Sequence, residues 1–107
     1  MDLQPDPIEV SDETESAIRE YHSNGASVIR GILDQKWITI MREAIQRVLD
    51  HPGRASVEYT PKEKEGRYYG DFFLWRRDPD FEKFMRYSPL PAIAAKVLKS
   101  NSIRFFL

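Results

Sequence analysis

The chain has no cysteine among its 107 residues, which excludes disulfide staples and thiolate zinc sites. Histidine is nearly as scarce, with only His22 and His51. A non-haem iron facial triad needs two imidazoles and one carboxylate on one octahedral face. Ser23-Asn24 follows His22 and Pro52-Gly53 follows His51, so neither has an acid two residues on, where a strand would place it beside the ring. Both histidines read as helix-end residues near the negative end of a dipole. The five glycines are scattered and build no phosphate loop, and Gly25 and Gly53 read as helix stops. Ser11 and Ser88 read as capping residues, not nucleophiles. No catalytic, cofactor-binding or metal residue is assigned within this chain.

Charge of one sign is also lacking: 16 Lys and Arg face 17 Asp and Glu, a formal net charge of −1. That balance argues against a nucleic-acid partner, which would show as a basic stripe, and against a polybasic membrane patch. No apolar run approaches a membrane span. The start, Met1-Asp2-Leu3-Gln4-Pro5-Asp6-Pro7, is acidic and proline-bearing, unlike the basic start of a secretory leader. The expectation is a soluble, cytoplasmic chain of one small domain.

What is present is helical punctuation and aromatic bulk, with two tryptophans, five tyrosines and six phenylalanines. Residues 1–10 read as a flexible arm, broken by Pro5 and Pro7. Ser11 caps a helix with Asp12 and Glu13 in its first turn and Ala17, Ile18 and Tyr21 as its apolar stripe; Asn24-Gly25 ends it. Ala26–Arg30 is short and β-branched, which predicts a strand. Asp34 caps the clearest helix, about Gln35 to Leu49, with Trp37, Met41, Ile45 and Val48 facing inward. His51-Pro52-Gly53 stops it. Residues 53–66, with Lys62-Glu63-Lys64-Glu65, read as a solvated loop. Asp78-Pro79 opens a helix burying Phe81, Phe84 and Met85. Ser88-Pro89-Leu90-Pro91 starts another, whose inward face is Leu90, Ile93, Ala94, Val97 and Leu98. Ile103-Arg104-Phe105-Phe106-Leu107 predicts a strand, and one strand cannot satisfy its own backbone groups. The expectation is therefore that 11–107 form the incomplete front of a larger domain, prone to self-association through that strand.

One segment has functional character. Arg67-Tyr68-Tyr69-Gly70-Asp71-Phe72-Phe73-Leu74-Trp75-Arg76-Arg77 interleaves aromatics with one acid and three guanidinium groups. Such a mixture suits a pocket for an anionic, partly apolar ligand. The favoured reading is a core of aromatics with surface ion pairs, because exposed Arg–carboxylate pairs are common and weak. Tyr68, Tyr69, Trp75 and Arg76 are the candidate substrate-side residues, and the 68–75 stretch is expected to be extended or irregular.

Taken in order, three stretches carry a resemblance. They are Gly25-Ala26-Ser27-Val28-Ile29-Arg30-Gly31-Ile32-Leu33, then Gly70–Pro79 with Ser88-Pro89-Leu90-Pro91-Ala92-Ile93-Ala94, and then Ile103-Arg104-Phe105-Phe106. Together they resemble the N-terminal part of the phytanoyl-CoA dioxygenase family. The resemblance implies an α+β fold: a helical segment leading into a double-stranded β-helix (jelly-roll, cupin-like), with only the first strands present here. It implies an Fe(II)- and 2-oxoglutarate-dependent oxygenase acting on a small molecule, with the iron held by a His-x-Asp pair and a later His, and 2-oxoglutarate by an Arg. None of those motifs occurs in this chain, so no cofactor is assigned to it. The implied partner is the remainder of the domain or a complementary chain. Two other readings stand beside this one: a stand-alone helical interaction or regulatory module without catalytic activity, and a relative that has lost its metal site.

Overall fold

A computed structural model describes residues 4–106. Its elements are α1 (Asp12–Asn24), α2 (Gln35–Asp50), β1 (Val57–Glu58), β2 (Tyr69–Gly70), α3 (Leu74–Arg77), α4 (Pro79–Tyr87) and α5 (Leu90–Leu98). Helix α4 is the hub, packing on α2, α3 and α5, while α1 packs on α5.

Local chemistry sets the helix starts. The side chains of Ser11, Asp34 and Asp78 accept from the backbone N–H groups of Thr14, Trp37 and Asp80, which otherwise lack helical partners. Gly25 closes α1 at φ 83°, in the left-handed region that glycine enters without strain. Helix α2 ends at Asp50, and His51 is its cap. Ser88 joins α4 to α5: its hydroxyl donates to the Phe84 carbonyl and accepts from the Leu90 N–H at 3.1 Å.

Trp37 anchors the interior. It meets Phe84 of α4 edge to face at 5.9 Å, and its indole N–H donates to Asp6 at 3.0 Å. The Asp6 backbone N–H donates to the Tyr87 carbonyl at 2.9 Å. Of residues 1–10, read as a flexible arm, 1–3 lie outside the described residues, and 4–10 are irregular but tied to α2 and α4 at that residue. The Trp37 hydrogen bond, opposed by partial burial and helped by Lys36 at 3.4 Å, holds the Asp6 carboxyl below its ordinary value.

Several expectations need correction. Ala26–Ile29 is irregular, between Gly25 and the turn at Arg30-Gly31, and pairs with no strand among the described residues. Residues 103–106 form no strand either, and Leu107 lies outside the described residues. β-Branched and aromatic content alone does not make a strand where no neighbour supplies a ladder. The hairpin appears elsewhere, joining β1 and β2 antiparallel with Val57 opposite Gly70 and Glu58 opposite Tyr69. Ile45 is 47% exposed, and Ala44 beside it is the residue buried at that level of α2. Leu98 is exposed too.

The interior is thin. Among the described residues the buried apolar side chains are Ala17, Ile18, Trp37 and Ala44, with Pro89 beside buried Ser88. The radius of gyration is 16.2 Å, against about 13 Å for a compact domain of this length. Among the described residues no helix is long and apolar enough to cross a membrane.

Candidate functional site

The segment 67–77 begins on the hairpin. The Tyr59 N–H donates to the Tyr68 carbonyl at 2.8 Å, and the Tyr68 N–H donates to the Thr60 hydroxyl. The Tyr59 and Tyr68 rings lie 4.8 Å apart, leaving Tyr68 69% exposed. Gly70 admits this packing, because a Cβ there would stand 3.2 Å from the Tyr59 ring.

Past β2 the chain turns inward at Asp71, whose side chain is only 1% exposed. The carboxylate accepts from the Tyr69 hydroxyl at 2.6 Å, from the Arg77 guanidinium at 2.7 Å and from the Phe72 N–H at 2.8 Å. Burial opposes its charge, but the Tyr69 and Arg77 hydrogen bonds outweigh that and hold its pKa below the ordinary value. Burial, and then the carboxylate, push the Tyr69 hydroxyl up. Every oxygen of this centre is engaged, so it is built as a structural clamp. Gly53 serves it: a Cβ at that position would fall 1.8 Å from Nη1 of Arg77. The glycine read as a helix stop is therefore a passage for a guanidinium.

Residues 68–73 are extended or irregular, as expected of 68–75, but Leu74 and Trp75 depart from that course and coil into α3. Phe73 starts it at φ 58°, a conformation rare for a bulky residue. The Arg76 guanidinium lies 5.1 Å from the Phe73 ring and 5.0 Å from the Trp75 ring, within cation–π range. Trp75 meets Phe105 edge to face at 6.1 Å. Around them opens a groove of about 610 Å³, walled by Met85, Leu90, Leu98, Ile103 and Phe106. Phe106 is 88% exposed.

The four candidate residues thus divide. Tyr68 stacks on the hairpin, Tyr69 belongs to the Asp71 clamp, Trp75 lines the groove, and Arg76 lies against the Phe73 and Trp75 rings without lining it. The Tyr69–Asp71–Arg77 clamp was missed in the sequence; its one available signal was a lone acid amid three arginines.

The iron implied by the resemblance finds no fit among the described residues. No three His, Asp or Glu side chains converge there. His22 uses Nε2 to donate to the Val97 carbonyl at 2.9 Å, and His51 caps a different helix. No family model matches the chain, and comparison with curated proteins and with solved structures found no match.

Proposed function

We propose that this chain is the N-terminal helical part of a phytanoyl-CoA dioxygenase-like oxygenase, dependent on Fe(II) and 2-oxoglutarate and hydroxylating a small organic molecule in the cytoplasm. In this reading the iron and 2-oxoglutarate ligands come from residues outside these 107, and the helices brace one face of the missing sheet. The resemblance of three ordered stretches supplies the family. One physical observation supports the idea of a missing cover. The accessible surface is 8576 Å², whereas a folded monomer of 12.6 kDa exposes about 6200 Å². The excess of about 2400 Å² is of the order hidden in large permanent interfaces. The groove at Trp75 and residues 103–106 is one apolar part of that surface.

The same groove favours a second reading, a non-catalytic module that takes up a partner's strand. The backbone groups of 103–106 have no backbone partner among the described residues, as an edge available for strand addition requires.

The experiment is to read the native gene past the codon for Leu107, express the complete product and assay it anaerobically with Fe(II) and 2-oxoglutarate. A downstream His-x-Asp and succinate release support the oxygenase. A stop codon at that point overturns it in favour of the module or the metal-free relative. The 107-residue chain alone is expected to bind no iron productively and release no succinate. Stoichiometric iron binding with turnover by a monomer of this chain would sink the assignment of the ligands elsewhere. Cell fractionation tests the compartment.

A further inference from the structure

A separate cleft of about 540 Å³ lies between α1 and the end of α5. Its floor is apolar, formed by Ile18, which is buried, and Ala95. Its rim carries Arg19 from α1, Lys96 from α5 and Lys99 from the cap, with the Asn101 amide beside them. One carboxylate, Glu15, faces these three cations, and among the described residues none of the three has a salt-bridge partner. The His22–Val97 hydrogen bond pins the two walls together one turn from Arg19.

The cap itself is unusual. Lys99 sits at φ 52°, where glycine would rest without strain. Its N–H donates to the Lys96 carbonyl and the Ser100 N–H to the Ala95 carbonyl, so the turn is fixed and Lys99 is held at the rim. The left-handed cap thus adds a third cation to the rim of this cleft.

We propose that this cleft binds a small phosphorylated organic molecule. The Arg19 fork and the two ammonium groups would hold the phosphate, and Ile18 with Ala95 would receive the organic part. Nothing in this inference depends on the oxygenase reading. A competing account gives the lysines only a dipole-compensating role at the end of α5, and it predicts no ligand.

The test is NMR titration of the full chain with inorganic phosphate, phenyl phosphate and phosphatidic acid vesicles. Phenyl phosphate should shift the amides of Arg19 and Ala95–Asn101 and bind more tightly than inorganic phosphate. Lys96→Gln with Lys99→Gln should weaken it by about tenfold or more. Glu15→Gln should tighten it, because the one opposing charge is removed. These side chains are exposed, so the variants should fold, and circular dichroism checks that. No shifts at about 1 mM phenyl phosphate, or shifts indifferent to all three substitutions, would overturn the proposal. Binding to the vesicles alone would also overturn it, by replacing a soluble phosphate with a lipid surface.

Discussion

Trp37 in α2 and Asp71 after β2 are both shielded from water, yet they order their surroundings in different ways. Trp37 lies on a helix whose start is fixed within three residues by Asp34, and it contributes mainly buried area and an aromatic contact with Phe84. Asp71 lies where no regular element runs long, and it holds β2 to α3 through charge and hydrogen bonds. The helical side should respond to lost volume. The clamp should respond to pH and to changes in side-chain placement. Area burial is non-directional, so a helix face tolerates small shifts. A three-donor carboxylate site does not, because an ungratified buried charge is costly.

The largest effect is expected at Trp37. Trp37→Ala should cost about 3–5 kcal/mol, the range for deleting a buried aromatic side chain, measured by urea titration. Trp37→Phe should cost less, because it keeps the ring against Phe84 and loses the Asp6 hydrogen bond. A Trp37→Ala loss under about 1 kcal/mol would show that the α2–α4 contact is not what holds the helices together.

At the clamp, Asp71→Asn should cost about 2 kcal/mol, below the figure for a fully buried ion pair because Arg77 is 39% exposed. Its pH signature is more specific. The Asp71 pKa is depressed, so its stabilisation is present at neutral pH and lost as pH falls through its folded value, below the ordinary carboxylate range. The Tyr69 pKa is raised, so that contribution is present below the ordinary tyrosine range and lost as pH rises through its folded value. The stability gap between wild type and Asp71→Asn should therefore close on the acid side and narrow on the alkaline side. A gap that stays constant across pH would break the contrast with Trp37.

The same contrast explains what could be read from the sequence. The starts of α1, α2 and α4 were legible because Ser11, Asp34 and Asp78 act on N–H groups two or three residues away. Gly25 was legible for the same reason. The β1–β2 hairpin was not, since two-residue strands carry no readable alternation. The left-handed Phe73 that starts α3 has no local signal. Ala26–Arg30 and residues 103–106 had strand composition without a neighbour to complete them. Of the candidate site, the aromatic and cationic character of 67–77 was legible, but its division into a clamp and a groove was set by tertiary contacts.

Gly53 sharpens the comparison, since it touches the clamp from outside. Gly53→Ala places a methyl group where Nη1 of Arg77 lies, so the guanidinium must leave its position over Asp71. A cost of about 1 kcal/mol is expected, at the low end for overpacking because the obstacle is the tip of a flexible side chain. In an Arg77→Ala background the same change should be near neutral. A double-mutant cycle measures that coupling, and additive costs would mean that Gly53 matters for the backbone alone.

The smallest effect belongs to Ile45, where the apolar pattern of α2 misled. Trp37, Met41, Ala44 and Val48 turn toward the protein at helical spacing, and Ile45 lies one residue, or about 100°, past Ala44. Full burial would make Ile45→Ala cost about 2–5 kcal/mol. With 47% of the residue exposed, little cavity forms and much of the side chain already meets water, so the loss should stay below about 1 kcal/mol. Denaturant titration at low and high protein concentration separates two outcomes. A small loss at both keeps Ile45 on the solvent side of α2. A loss of several kcal/mol that grows with concentration would mean that another chain covers this face of α2.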